Sequence, residues 1–169
     1  MQGPALGLAL ALVSGVLSYA ATFLPESIGV RWGAGVIFGA LVLAPSHPDP
    51  TRRVALIALS AGAYRLAVWL AQTLYAGTLA SALFSCALAG VFGVLVVSIG
   101  TSLLSRSPVD RRALVSASIA GAIAGLLIGI CVRADDESVW QQAALLAGYV
   151  VWQVGYTASH RLAPGARAA

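Results

Sequence analysis

The chain contains no lysine and only six acidic residues against ten arginines, so charged residues make up just 9% of its 169 positions. An ordinary soluble domain carries roughly 25% charged residues. With 59% apolar residues, a water-soluble fold of this length lacks the polar surface to cover its own exterior. A lipid bilayer supplies the solvent that this composition requires. The formal charge of +4 does not make a nucleic-acid footprint. That needs a clustered basic face, whereas these arginines lie mostly between apolar runs. No nucleic-acid partner is expected.

Other absences narrow the chemistry. The two cysteines, Cys86 and Cys131, lie inside apolar runs without metal-site spacing and read as small apolar packing residues. Membrane hydrolases need a histidine or clustered carboxylates held inside the bundle. Phosphoryl transfer on lipids needs an acidic metal cluster. No histidine or acid falls within an apolar run at membrane depth, so neither an enzyme nor a cofactor is expected. His47, Asp49 and His160 read as solvated loop and tail residues rather than metal ligands.

What is present is a series of apolar runs. A spanning helix needs about 20 largely apolar residues, and six stretches qualify: 5–24, 28–44, 54–76, 78–104, 113–132 and 139–158. Lipid-exposed backbone must satisfy its hydrogen bonds internally, which makes these runs helices. The alternating polarity of barrel strands is missing. The expected fold is a single all-α domain: a polytopic membrane bundle of about six transmembrane helices.

The arginines orient it. Arg52 and Arg53 lie in the second connection, Arg106, Arg111 and Arg112 in the fourth, and Arg161 and Arg167 in the tail. Only Arg31 and Arg133 lie towards the other side, with Glu26, Asp135, Asp136 and Glu137. The positive-inside rule then puts the even connections and both termini in the cytoplasm. Trp32, Tyr75 and Trp140 fall near the outer boundary, as an aromatic belt would. Asp49-Pro50 and Ser107-Pro108 each place a capping side chain before a proline, as helix starts do. Ser18-Tyr19-Ala20 is a passable signal-peptide cleavage pattern. No basic residue precedes the first run, however, and the run is long, so it is read as a retained helix.

Small residues recur at four-residue spacing: Gly35 and Gly39 on the second helix, Ala117, Gly121, Gly125 and Gly129 on the fifth. Ser81, Ser85, Ala89 and Gly93 do the same on the fourth. Such ladders let helix backbones approach closely. A shift of 86 residues lays Ala34–Gly39 on Ala120–Gly125 and Ala58–Gly62 on Ala144–Gly148. This suggests an inverted repeat of three helices per half, as in many transporters.

One residue demands an explanation. Arg65 is at the centre of the third run, eleven residues from either end, or roughly 16 Å at 1.5 Å per residue. A charge there costs about 3 kcal/mol on insertion scales, and its side chain is too short to snorkel to water. Trp69, one turn on, offers a cation–π contact, and Gln72 follows. The expectation is that Ala58, Ala61, Gly62, Arg65, Trp69 and Gln72 face the bundle interior. Three roles compete for Arg65. It lines a cavity for an anionic solute or lipid headgroup, pairs with an acid on another membrane subunit, or bonds helix carbonyls and waters as a structural residue.

The leading expectation is a bacterial inner-membrane protein that transports or binds a small anionic solute or headgroup around Arg65, Trp69 and Gln72. The all-arginine basic content suits a GC-rich genome. The alternative is an accessory, sensor or immunity-type subunit that docks a membrane partner, or a second copy of itself, through Arg65 and the small-residue faces. In size, helix number and inward termini the chain resembles the substrate-binding subunits of energy-coupling-factor transporters. Ala5 and Ala9 suit the small-residue docking face of that family, while the short first outer connection departs from its ligand-gating loop.

Overall fold

The computed structural model describes residues 3–24, 32–131 and 138–161. Those residues form six helices and no strand. Helix α1 is Pro4–Ala20, prolonged by a tight turn over Ala21–Phe23. Helix α2 is Ala34–Ser46, α3 Pro50–Leu74, α4 Leu79–Ser105, α5 Arg111–Cys131 and α6 Val139–Arg161. Four of them (α1 with its extension, α3, α4 and α5) are long and apolar enough to cross a membrane. The chain is therefore a membrane protein. The other two depart from the expectation for physical reasons. Helix α2 covers 13 residues, about 20 Å at 1.5 Å per residue, short of a hydrocarbon core of about 30 Å. Helix α6 is long enough, with 23 residues, but carries Gln141, Gln142, Gln153 and His160.

Local chemistry sets the helix ends. Asp49 caps α3 by accepting from the Thr51 N–H at 2.9 Å, with Pro50 at the first helical position. The Ser107-Pro108 pair does not perform the same task for α5. There the cap is Asp110, which accepts from the Arg112 N–H at 2.8 Å and the Ala113 N–H at 3.4 Å. The Ser107 carbonyl instead accepts the Ser102 hydroxyl. Thr78 opens α4 through a reciprocal capping box with Ser81. The α3–α4 turn passes through Gly77 at φ 76°, a left-handed conformation that glycine adopts without a Cβ penalty.

The helices form a closed ring in the order α1, α2, α3, α4, α5, α6, with α6 returning to α1. Contacts are antiparallel all round. Gly39 meets Ile57 while Gly35 meets Ala61, and Gly15 meets Val150. The centre is filled by Ala11, Phe38, Leu56, Val94, Val97, Ala117 and Tyr156. Phe38 packs edge-on against Tyr156, ring centroids 5.4 Å apart, and tilted against Trp152 at 5.0 Å. Arg52, Arg53, Arg106, Arg111 and Arg112 mark one end of the ring. Trp32, Tyr75 and Trp140 are exposed towards the other.

The glycine ladders lie inside the ring. A Cβ on Gly121 would stand 2.7 Å from the Gly90 carbonyl oxygen, and one on Gly129 2.9 Å from that of Ala82. One on Gly125 would strike the Cys86 carbonyl. A Cβ on Gly35 or Gly39 would meet α3 at 2.7 Å. These positions hold α5 against α4 and α2 against α3. The repeat is not reflected in this packing. Gly35 faces the following helix whereas Gly121, its counterpart, faces the preceding one. Gly62 has nothing within 4 Å, whereas Gly148 is pressed against Ile128.

Candidate functional site

Arg65, Trp69 and Gln72 do not face the ring interior as expected. Helix α3 buries Leu56, Ser60, Ala61 and Ala63. At 100° per residue, Ala58, Gly62, Arg65 and Trp69 all fall on the opposite face. Trp69 is 54% exposed, Ala58 and Gln72 are exposed, and Arg65 is half-buried. The physical reason is space. The stripe of α3 that meets α2 and α4 is set by close contacts to Gly35 and Gly39, and the centre is filled by Phe38, Leu56 and Tyr156. No room is left there for a guanidinium and its counter-charge. Among the described residues the ion pair is Arg52 with Asp49, 3.7 Å apart at the arginine end. The aromatic contacts found there do not include Arg65 with Trp69. Ala5 and Ala9 also lie on an outward face, that of α1.

The interior holds a different site. A cavity of about 120 Å³ lies between α3, α4, α5 and α6, walled by small and apolar residues including Ala67, Ala89, Gly93, Gly125 and Ile128. Among the described residues no charged side chain lines it. Tyr64 of α3, and Tyr149 and Trp152 of α6, complete the wall. The two phenol oxygens are 2.9 Å apart and hydrogen-bonded. Tyr64 is ten residues before the end of α3 and Tyr149 ten after the start of α6. That is about 15 Å from the aromatic end of each helix, near mid-depth of a bilayer. Glycine makes the space: a Cβ on Gly93 would find only Ala67 at 3.6 Å and Trp152 at 3.9 Å.

Buried serines sit on α1, α3 and α4, at Ser14, Ser18, Ser60, Ser85 and Ser98, and α6 adds a stripe of larger polar groups. Gln142 accepts from the Tyr19 hydroxyl at 2.6 Å, Tyr149 pairs with Tyr64, and the Gln153 amide donates to Ser18 at 2.7 Å. Further along, Thr157 bonds the Gln153 carbonyl at 2.8 Å. His160 stacks on Tyr156 with ring centroids 4.2 Å apart and is 3.3 Å from the Ser98 hydroxyl. These residues share one face of α6, 3.6-periodic from 142 to 160. Gln153 is fully buried, and its Oε1 has no partner among the described residues. The stripe lies on a helix other than that of Arg65. The readable signal was its period: Gln142, Tyr149, Gln153, Tyr156 and His160 recur at spacings of seven, four, three and four.

The weaker candidates resolve individually. His47 is 2.9 Å from the Ser105 hydroxyl, and no cluster of metal-ligating side chains occurs among the described residues. Both cysteines are free thiols, Cys86 buried and Cys131 half-buried. Glu26 with Arg31, and Asp135, Asp136 and Glu137, lie outside the described residues. Comparison with protein-family models, with curated proteins and with solved structures returns no match, so none of them supports the resemblance to energy-coupling-factor subunits.

Proposed function

We propose that this chain is a small non-catalytic membrane protein that binds a solute within its own helix bundle, as the carrier or binding component of a transport system. The observation that carries the reading is the mid-depth cavity between α3 and α6, where Tyr64 and Tyr149 supply polar atoms inside an otherwise apolar wall. Ligand sites have this composition: mainly apolar walls with a few placed polar groups. The location assigned is the bacterial inner membrane, with both termini cytoplasmic from the arginine asymmetry.

Thermal unfolding of the purified chain in detergent tests the binding reading. A bound solute raises stability as its concentration exceeds its Kd. Small neutral compounds should raise the melting temperature saturably in the native chain and leave Gly93→Leu, whose side chain fills the cavity, unmoved. Anions that stabilise the native chain but not Arg65→Leu would return the site to Arg65. Failure of both sets to stabilise removes the solute reading.

A second reading is favoured by the outward setting of Arg65, Trp69 and Gln72. A cation on the outward face of a spanning helix is costly in lipid, and a carboxylate on another membrane subunit would offset that cost. Native-gel mass in mild detergent checks it. A complex lost on Arg65→Leu but kept in Arg65→Lys supports a charge-paired subunit.

A further inference from the structure

We propose that the cavity between α3, α4, α5 and α6 takes a neutral, mainly apolar molecule about the size of a six-membered ring. The molecule would present one hydrogen-bond acceptor to the proton that the Tyr64–Tyr149 pair leaves over. The inference rests on the solute-binding reading and names the ligand class for that same site.

Proton counting carries it. Two phenols bring two hydroxyl protons, and their 2.9 Å hydrogen bond uses one. Whichever phenol donates, the other keeps a donor that meets no acceptor among the described residues. Tyr149 is only 7% exposed and Tyr64 is half-buried beside an apolar wall, where an unmade hydrogen bond is costly. A ligand acceptor would satisfy it.

The walls define the rest of the ligand. Among the described residues no charged side chain reaches the cavity, and an ion placed there would be desolvated without a counter-charge from them. The solute is therefore neutral. The helix carbonyls along the wall are already engaged in their own ladders. The volume of about 120 Å³ is slightly below that of an engineered dry cavity of about 150 Å³ that takes up benzene. Trp152 adds an aromatic surface against which a ring can pack.

An isosteric pair of probes tests the proposal on the full chain in detergent. Cyclohexanone carries the acceptor, and methylenecyclohexane has the same shape without it. Cys86 lines the cavity, so its labelling rate by a membrane-permeant maleimide, in a Cys131→Ser background, reports occupancy. Cyclohexanone should protect Cys86 at about 3- to 10-fold lower concentration than methylenecyclohexane, the worth of one neutral hydrogen bond. The preference should survive in Tyr64→Phe and in Tyr149→Phe, because each keeps one phenol with a free proton. It should vanish in the double variant. Gly93→Leu should lose protection by both probes while its own thermal transition remains. Equal protection by the two probes overturns the acceptor inference and leaves the solute reading standing. Protection by neither probe, with labelling unchanged at saturation, removes the solute reading with it. Protection that persists in Gly93→Leu places the probe elsewhere and overturns the assignment to this cavity.

Discussion

Tyr64 of α3 and Tyr149 of α6 are hydrogen-bonded across the bundle at 2.9 Å, joining two helices that are not neighbours in the ring. Their contact bridges a cavity that the glycines of α4 and α5 leave open. The pair is a structural tie and, on the proposal above, the polar element of a binding site. The structural part has its own signature. Removing one phenol strands the other, so Tyr64→Phe and Tyr149→Phe should each cost about 1–3 kcal/mol. The double variant should cost less than the sum of the two, because no phenol is left unpaired. Reversible unfolding in mixed micelles, analysed as a double-mutant cycle, measures the coupling.

The glycines of α4 and α5 should divide sharply. A Cβ on Gly125 runs into the Cys86 carbonyl and the Ala87 Cα, so Gly125→Ala should cost about 1–3 kcal/mol by overpacking. A Cβ on Gly93 would make only ordinary contacts, with Ala67 and Trp152, so Gly93→Ala should be neutral or should gain up to about 1 kcal/mol from helix propensity. The order of melting temperatures, Gly93→Ala at or above native and Gly125→Ala below, is the check.

Gln153 is buried with its Oε1 unpartnered, and its amide donates to Ser18. Ser18 can turn its hydroxyl to a carbonyl of its own helix if the amide is lost. Gln153→Leu should therefore change stability by less than about 1 kcal/mol, in keeping with the modest worth of hydrogen bonds between membrane helices. A loss of several kcal/mol would mean that Oε1 holds a buried water or another group.

Arg65 should weigh on insertion more than on folding. Arg65→Leu should favour insertion of α3 by about 3 kcal/mol in a translocon assay. It should leave the melting temperature of the purified chain nearly unchanged, because Arg65 has no ion-pair partner among the described residues. A large fall in melting temperature would show that the guanidinium ties the fold together.

The arginine asymmetry makes a topological prediction. Reporter fusions in the α2–α3 and α4–α5 connections and after α6 should all read as cytoplasmic. A fusion in the α3–α4 turn at Gly77 should read as the opposite side. Two arginine-rich connections reading on different sides would overturn the assigned orientation.

Composition and run length by themselves determined that the chain is helical and needs a membrane, and roughly where its helices lie. These depend only on local quantities: apolar residues per stretch, backbone hydrogen bonds that lipid cannot satisfy, and caps such as Asp49. Ladder spacing likewise marked Gly35, Gly39, Gly121, Gly125 and Gly129 as close-approach positions. Only the tertiary structure decided which way each helix turns. In a membrane both the lipid face and the interior are apolar, so periodicity does not say which side of α3 is inside. The pull of Arg65 towards an expected polar interior pointed the wrong way. Close contacts of Gly35 and Gly39 with α3, and the filling of the centre by Phe38 and Tyr156, turned it outward. The Tyr64–Tyr149 tie joins residues 85 positions apart, and the cavity beside it draws on four helices. A site of that kind exists only once the ring has closed, and no single run encodes it.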